Sequence, residues 1–200
     1  MKTFKFLFIP CLLLVTILVL EDNSNTLNTG DIVFTSFNAT GNDSFSITAL
    51  KSIKPKTTIF FTDAKWNGSR FRIGGNHLIW VSGDKEIKEG ALIEFKNIKT
   101  EAIVTFGKIT SNLAISKKGD AIYAYTGSYK MPSKFLAGIA NNINDYGTLI
   151  NTGLEEGKTT ITFPNGTYFA NYKLKLKNLD RIDFLEGLKK LENYTIKPRL

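Results

Sequence analysis

From Gly30 onward, short apolar runs alternate with turn signals. In Ser44-Phe45-Ser46-Ile47-Thr48-Ala49-Leu50 the Phe, Ile and Ala positions recur every second residue. That period of two is what a half-buried strand requires, because successive side chains point to opposite faces. The same reasoning predicts strands over Asp31–Phe37, Ser44–Leu50, Thr57–Thr62, His77–Ser82, Ala91–Phe95 and Ala102–Phe106. It continues with Leu113–Ser116, Ala121–Thr126, Lys134–Ala140, Thr159–Phe163 and Tyr168–Leu176. Short strands separated by Gly, Pro and Asn turns point to an all-β sandwich or barrel. Only the C-terminus reads as a helix: Leu179, Ile182, Leu185, Leu188 and Leu191 recur every third residue beside Phe184, with Asn178 or Asp180 as the cap.

The N-terminus has a different pattern. Lys2 and Lys5 precede an apolar run from Phe6 to Leu20, interrupted by Pro10, and Glu21-Asp22 ends it. A positive start, a short apolar stretch and a polar exit are the layout of a secretory signal, so residues 1–20 read as a signal peptide. A membrane span needs about 20 apolar residues, which leaves an uncleaved signal-anchor as the alternative and the one expected membrane contact. Residues 21–29 are almost wholly polar and read as a linker; residues 30–197 form the expected domain. This predicts a secreted or extracellular-surface location.

Composition narrows the chemistry. The chain has one Cys, Cys11, and one His, His77. A zinc cluster, an iron–sulfur site or a disulfide framework cannot be built from one copy. Cys11 lies within the signal, so the exported domain is thiol-free. The formal charge of +8 falls to about +6 once Lys2 and Lys5 leave. It is carried by 22 Lys and only four Arg, dispersed along the chain. Arg is the preferred reader of phosphates and base edges, so no nucleic-acid partner is expected. The densest basic stretch, Lys173-Leu174-Lys175-Leu176-Lys177, reads as a solvated face or a Lys-protected edge strand.

Several stretches resemble known domains. Gly30-Asp31-Ile32-Val33-Phe34, Phe37-Asn38-Ala39, Asp43-Ser44-Phe45-Ser46, Lys54-Pro55-Lys56-Thr57-Thr58-Ile59-Phe60-Phe61-Thr62-Asp63 and Trp66-Asn67-Gly68 carry the likeness. Leu113-Ala114-Ile115-Ser116, Gly119-Asp120-Ala121-Ile122-Tyr123-Ala124-Tyr125 and Phe135-Leu136-Ala137-Gly138-Ile139 continue it. Together they resemble a largely uncharacterised β-sandwich domain of secreted bacterial proteins. The Ser/Gly-Asp strand pattern is also similar to lamin-tail domains. The resemblance implies an immunoglobulin-like β-sandwich with a short C-terminal helix, serving as a surface or accessory module. It brings no transferable catalytic set.

No constellation of residues announces an enzyme. His77 opens an apolar strand and no Gly-x-Ser-x-Gly elbow exists, so a structural His is expected. Gly74-Gly75-Asn76 lacks the Lys and Ser/Thr of a phosphate loop. Paired carboxylates for hydrolysis would come from Asp63, Asp84, Glu86, Glu89 and Glu94. The densest polar cluster is Asn38, Asn42, Asp43 and Asp63, with Trp66 and Asn67 nearby. Its oxygens suit calcium, with Asp43 and Asp63 as ligands, and Trp66 suits stacking on a sugar ring. Asx-turn chemistry explains the same residues without a ligand. Trp66, Trp80, Phe60, Phe61, Tyr123 and Tyr125 otherwise read as core. The expected function is therefore a secreted, non-enzymatic binding or adhesion module for an extracellular glycan or protein. An extracellular carboxylate-based hydrolase and a structural component of an extracellular layer are the alternatives.

Overall fold

The computed structural model describes residues 26–176 and 180–198. The expected signal at 1–20, the first part of the linker, and Lys177, Asn178 and Leu179 lie outside those residues. The described chain forms two six-stranded sheets packed face to face. Sheet I contains β1 (Ile32–Asn38), β2 (Ser44–Ala49), β5 (Leu92–Lys96), β6 (Ile103–Val104), β11 (Thr167–Tyr172) and β12 (Tyr194–Pro198), in the order β12-β11-β1-β2-β5-β6. Sheet II contains β3 (Thr58–Thr62), β4 (His77–Val81), β7 (Lys108–Thr110), β8 (Ala121–Ser128), β9 (Met131–Ala140) and β10 (Thr160–Thr162), in the order β10-β9-β8-β3-β4-β7. Every pairing is antiparallel except β9 with β10.

The period-two pattern sets the core directly. Phe34, Phe45 and Phe95 from sheet I meet Phe61 and Trp80 from sheet II; Phe45 and Phe95 stack with centroids 4.5 Å apart. The register of β1 shifts between Phe34 and Ser36. That irregularity moves the inward set from Ile32 and Phe34 to Phe37 and Ala39, so all four enter the same core.

Strands β3 and β8 are buried on both faces. Ile59, Phe61, Ile122 and Ala124 face sheet I. Phe60, Tyr123 and Tyr125 face outward, yet they are covered by two long connections, residues 63–76 and 141–159. Trp66 and Phe71 from the first and Tyr146 and Leu154 from the second complete a separate outer cluster. Its polar tips are satisfied: the Tyr123 hydroxyl donates to the Tyr146 and Thr148 carbonyls at 2.9 and 3.0 Å, and the Trp66 indole donates to Ile150 O at 2.9 Å.

The structure corrects several expected elements. Leu113–Ser116 is not a strand; it crosses the end of the sandwich and inserts Leu113 and Ile115 into the main core. The strand expected over Tyr168–Leu176 stops at Tyr172. Lys173 N–H and Nζ donate to Asn193 O and Glu192 O, residues 173–176 form no strand, and β11 lies between β1 and β12; Lys177 lies outside the described residues. Strands β7 and β12 were not expected; both are short edge strands whose local pattern is weak. The end of the expected linker also belongs to the body. Leu27 is buried in the main core, Thr29 Oγ1 donates to Phe135 O, and Gly30 N–H donates to Leu136 O.

The expected helix is present as α1 (Arg181–Leu188), capped by Asp180, whose side chain accepts Asp183 N–H. Its buried residues are Phe184, Gly187 and Leu188, and Leu185 packs partly against the core, so only part of the three-residue repeat faces inward. Ile182 and Leu191 are exposed. Phe184 packs edge-on against Tyr172, with centroids 5.2 Å apart.

Candidate functional site

Asp63 follows β3 and Asp120 precedes β8. Those strands are antiparallel neighbours with Thr62 opposite Tyr123, so the two aspartates leave sheet II side by side. They line an open hollow of about 270 Å³ with Lys65, Arg72, Ile73 and Gly75. Asp63 Oδ1 accepts Asn76 N–H at 2.5 Å, and the Asn76 side chain reaches Oδ2 at 3.4 Å. Asp120 accepts the N–H groups of Ser116 at 2.8 Å and Ala121 at 2.9 Å. Its own N–H donates to Asn141 Oδ1 at 2.5 Å, and Asn141 Nδ2 donates to Ser116 O and Thr167 O. Asn141 thus ties the end of β9 in sheet II to the start of β11 in sheet I.

The electrostatics follow from burial and crowding. Burial pushes the Asp120 carboxyl up to about 7, and the charges of Asp63 and Asp145 add to this against the two N–H bonds. Burial also raises Asp63, against the opposing bonds from Asn76. Lys65 Nζ meets Asp145 Oδ1 at 2.5 Å on the adjoining turn. The site therefore sets two carboxyls with raised pKa beside an ion pair and the Arg72 side chain. Such a surface can accept and donate several hydrogen bonds at once.

The residues nominated from the sequence separate into groups. Asp43 shares this end of the sandwich, in the β1–β2 turn, and is buried with φ 55°. Its Oδ2 accepts Ile115 N–H at 2.9 Å, one residue before the N–H that Asp120 takes. Burial raises its pKa, while that bond and the nearby Lys99 and Lys117 oppose the rise. Asn38 Oδ1 accepts the Thr40 N–H and hydroxyl, and Asn42 O accepts Lys99 N–H. Asn67 Oδ1 accepts the Ser69 N–H and hydroxyl and the Arg70 N–H. Asn38 and Asn67 hold turns with their side chains, whereas Asn42 contributes a main-chain carbonyl and its side chain is exposed. Trp66 is 5% exposed, packed on Phe71 and Phe135, so its ring presents no free face for a sugar.

Asp43 and Asp63 serve different segments, Ile115 and Asn76, and among the described residues no group of three or more His, Cys, Asp or Glu is arranged to hold a metal. The other carboxylates proposed for hydrolysis are dispersed into ion pairs: Asp84 with Lys56, Glu86 with Lys88, Glu89 with Arg181 and Glu94 with Lys96. His77 is buried, with Nδ1 3.1 Å from the Tyr125 hydroxyl; burial first, then Lys130, lowers its pKa to about 4. Asp120, Asp145, Lys65 and Arg72 were not singled out from the sequence. The signal that could have found Asp120 is its place directly before a strand that pairs with the strand ending at Asp63.

Among the described residues no helix is long and apolar enough to cross a membrane. No protein-family model matches the chain, and no curated protein or solved structure matches it either.

Proposed function

We propose that the chain is an exported, immunoglobulin-like β-sandwich module that binds an extracellular glycan in the hollow at Asp63, Arg72 and Asp120. The observation that carries this reading is the hollow itself. Asp63, Arg72, Gly75 and Asp120 border one open space together with the exposed Ile73. Sugar hydroxyls are recognised by such convergent donors and acceptors on loops held by a rigid scaffold. The apolar run at residues 6–20 supports export, and the two packed sheets support the sandwich resemblance. A glycan array probed with the wild type and with Asp63→Ala and Arg72→Ala tests it. Binding that at least one substitution weakens tenfold or more is expected; no binding, or binding indifferent to both, rejects it.

One observation favours a second reading. Burial pushes the Asp120 carboxyl up to about 7 and it borders the same hollow as Asp63; two carboxyls facing one opening, one with a raised pKa, are the equipment of a glycoside hydrolase. Release of chromophore from aryl glycosides, abolished by Asp120→Asn, would select that reading over simple binding.

A further inference from the structure

We propose that Lys65 and Asp145 condense into an intramolecular isopeptide bond, with Asp120 as the neighbouring proton carrier. The two side chains arise from segments that the backbone already clamps together. Trp66 N–H donates to Tyr146 O at 2.9 Å, and Thr148 N–H donates to Trp66 O at 3.1 Å. Gly147 makes this approach feasible: its φ is 79°, and a Cβ there would lie 2.2 Å from Trp66 O. Lys65 Nζ is thereby held 2.5 Å from Asp145 Oδ1, next to the carboxyl carbon it must attack. Pairs fixed in this way react with effective molarities of about 10⁵ M or more.

The second oxygen, Asp145 Oδ2, is buried and has no hydrogen-bond partner among the described residues. It lies against Gly119, where a Cβ would come within 2.3 Å of it, and Asp120 is the next residue. A buried, unpaired carboxylate oxygen is costly, and conversion to an amide removes the charge that makes it so. In the reaction the neutral amine of Lys65 attacks Cγ of the protonated Asp145 carboxyl, forming the N–C bond. Asp120 accepts a proton from Nζ and returns it to the departing oxygen, the C–O bond breaks, and one water leaves. The balance is ammonium plus carboxylate giving amide plus water, with no oxidant or reductant. The position of the Asp120 pKa near neutrality suits that shuttle. The bond would join the 63–76 and 141–159 connections in a body whose described residues hold no cysteine.

Mass spectrometry of the full chain decides the matter. The wild type is expected to be lighter by the mass of one water than its sequence requires, after allowance for any leader removal. Tryptic digestion is expected to yield a branched peptide joining Lys65 to Asp145, with no cleavage after Lys65. Lys65→Arg is expected to restore the full mass, and Asp120→Asn to slow the loss of water in freshly refolded protein. Full wild-type mass without the branched peptide means an ion pair only and overturns the proposal. A water loss that persists in Lys65→Arg overturns it too, and an unslowed Asp120→Asn reaction removes Asp120 from its stated role.

Discussion

Asp120 and His77 pull stability in opposite directions as pH changes. The folded Asp120 pKa is raised from 3.8 to about 7, so its contribution is complete at low pH and is lost as pH rises through about 7. The folded His77 pKa is lowered from 6.5 to about 4, so its contribution is present above 6.5 and is lost as pH falls through that window to about 4. Between about 4 and 6.5 the two slopes oppose each other in the wild type. Urea unfolding at a series of pH values separates them. Asp120→Asn should gain on the wild type as pH rises from about 4 to 7, and His77→Gln should gain on it as pH drops from about 6.5 to 4. Curves parallel to the wild type would refute the assignments. Asp43 offers a simpler test. Removing its carboxylate leaves Ile115 N–H without an acceptor inside the protein, so Asp43→Ala is expected to cost about 1–3 kcal/mol in denaturant unfolding. The sequence nominated Asp43 and Asp63 because Asp and Asn cluster there, but residue type could not say that Asp43 faces a backbone N–H while Asp63 faces a hollow.

Elements were legible where neighbours along the chain decide their form. The alternation in β2 and the apolar runs of β3 and β8 are local signals, and the sheets contain them. The run Leu113–Ser116 has similar strand-like content, yet it finds no partner strand and plugs the sandwich end instead. Helix α1 makes the same point. Its three-residue repeat names Ile182, Leu185, Leu188 and Leu191 alike, with Phe184 beside them, while packing buries Phe184 and Leu188 and leaves Ile182 and Leu191 exposed. Phe184→Ala is therefore expected to cost about 3–5 kcal/mol, and Ile182→Ala to stay within about 0.5 kcal/mol, both read from chemical denaturation. Equal effects would mean that the other face is buried. The 63–76 connection is anchored in the outer cluster by Trp66 and Phe71, of which Trp66 is the larger. Trp66→Ala should cost about 3 kcal/mol or more and expose that connection to proteolysis.

At the scale of the molecule, the two clusters share their strands. Strands β3, β8 and β9 present one face to the main core and the other to the outer cluster, through Phe60, Tyr125 and Phe135. Loss of one cluster should therefore carry the other with it. Thermal unfolding followed by near-UV and far-UV circular dichroism should give coincident transitions; an aromatic signal lost earlier would show the outer cluster to be a separate unit. The sequence by itself determined the strand-rich class and the lone Cys and His, and it raised the expectation of a leader. These depend on composition and on a period of two, which neighbouring residues suffice to define. Only the tertiary structure decided that Trp66 is buried, that the Asn38 and Asn67 side chains hold turns, and that Asp63 meets Asp120 beside Lys65 and Asp145. Asp63 and Asp120 are far apart along the chain and meet because β3 pairs with β8. Which strands pair is set by the mutual burial of distant faces, and no local pattern encodes it.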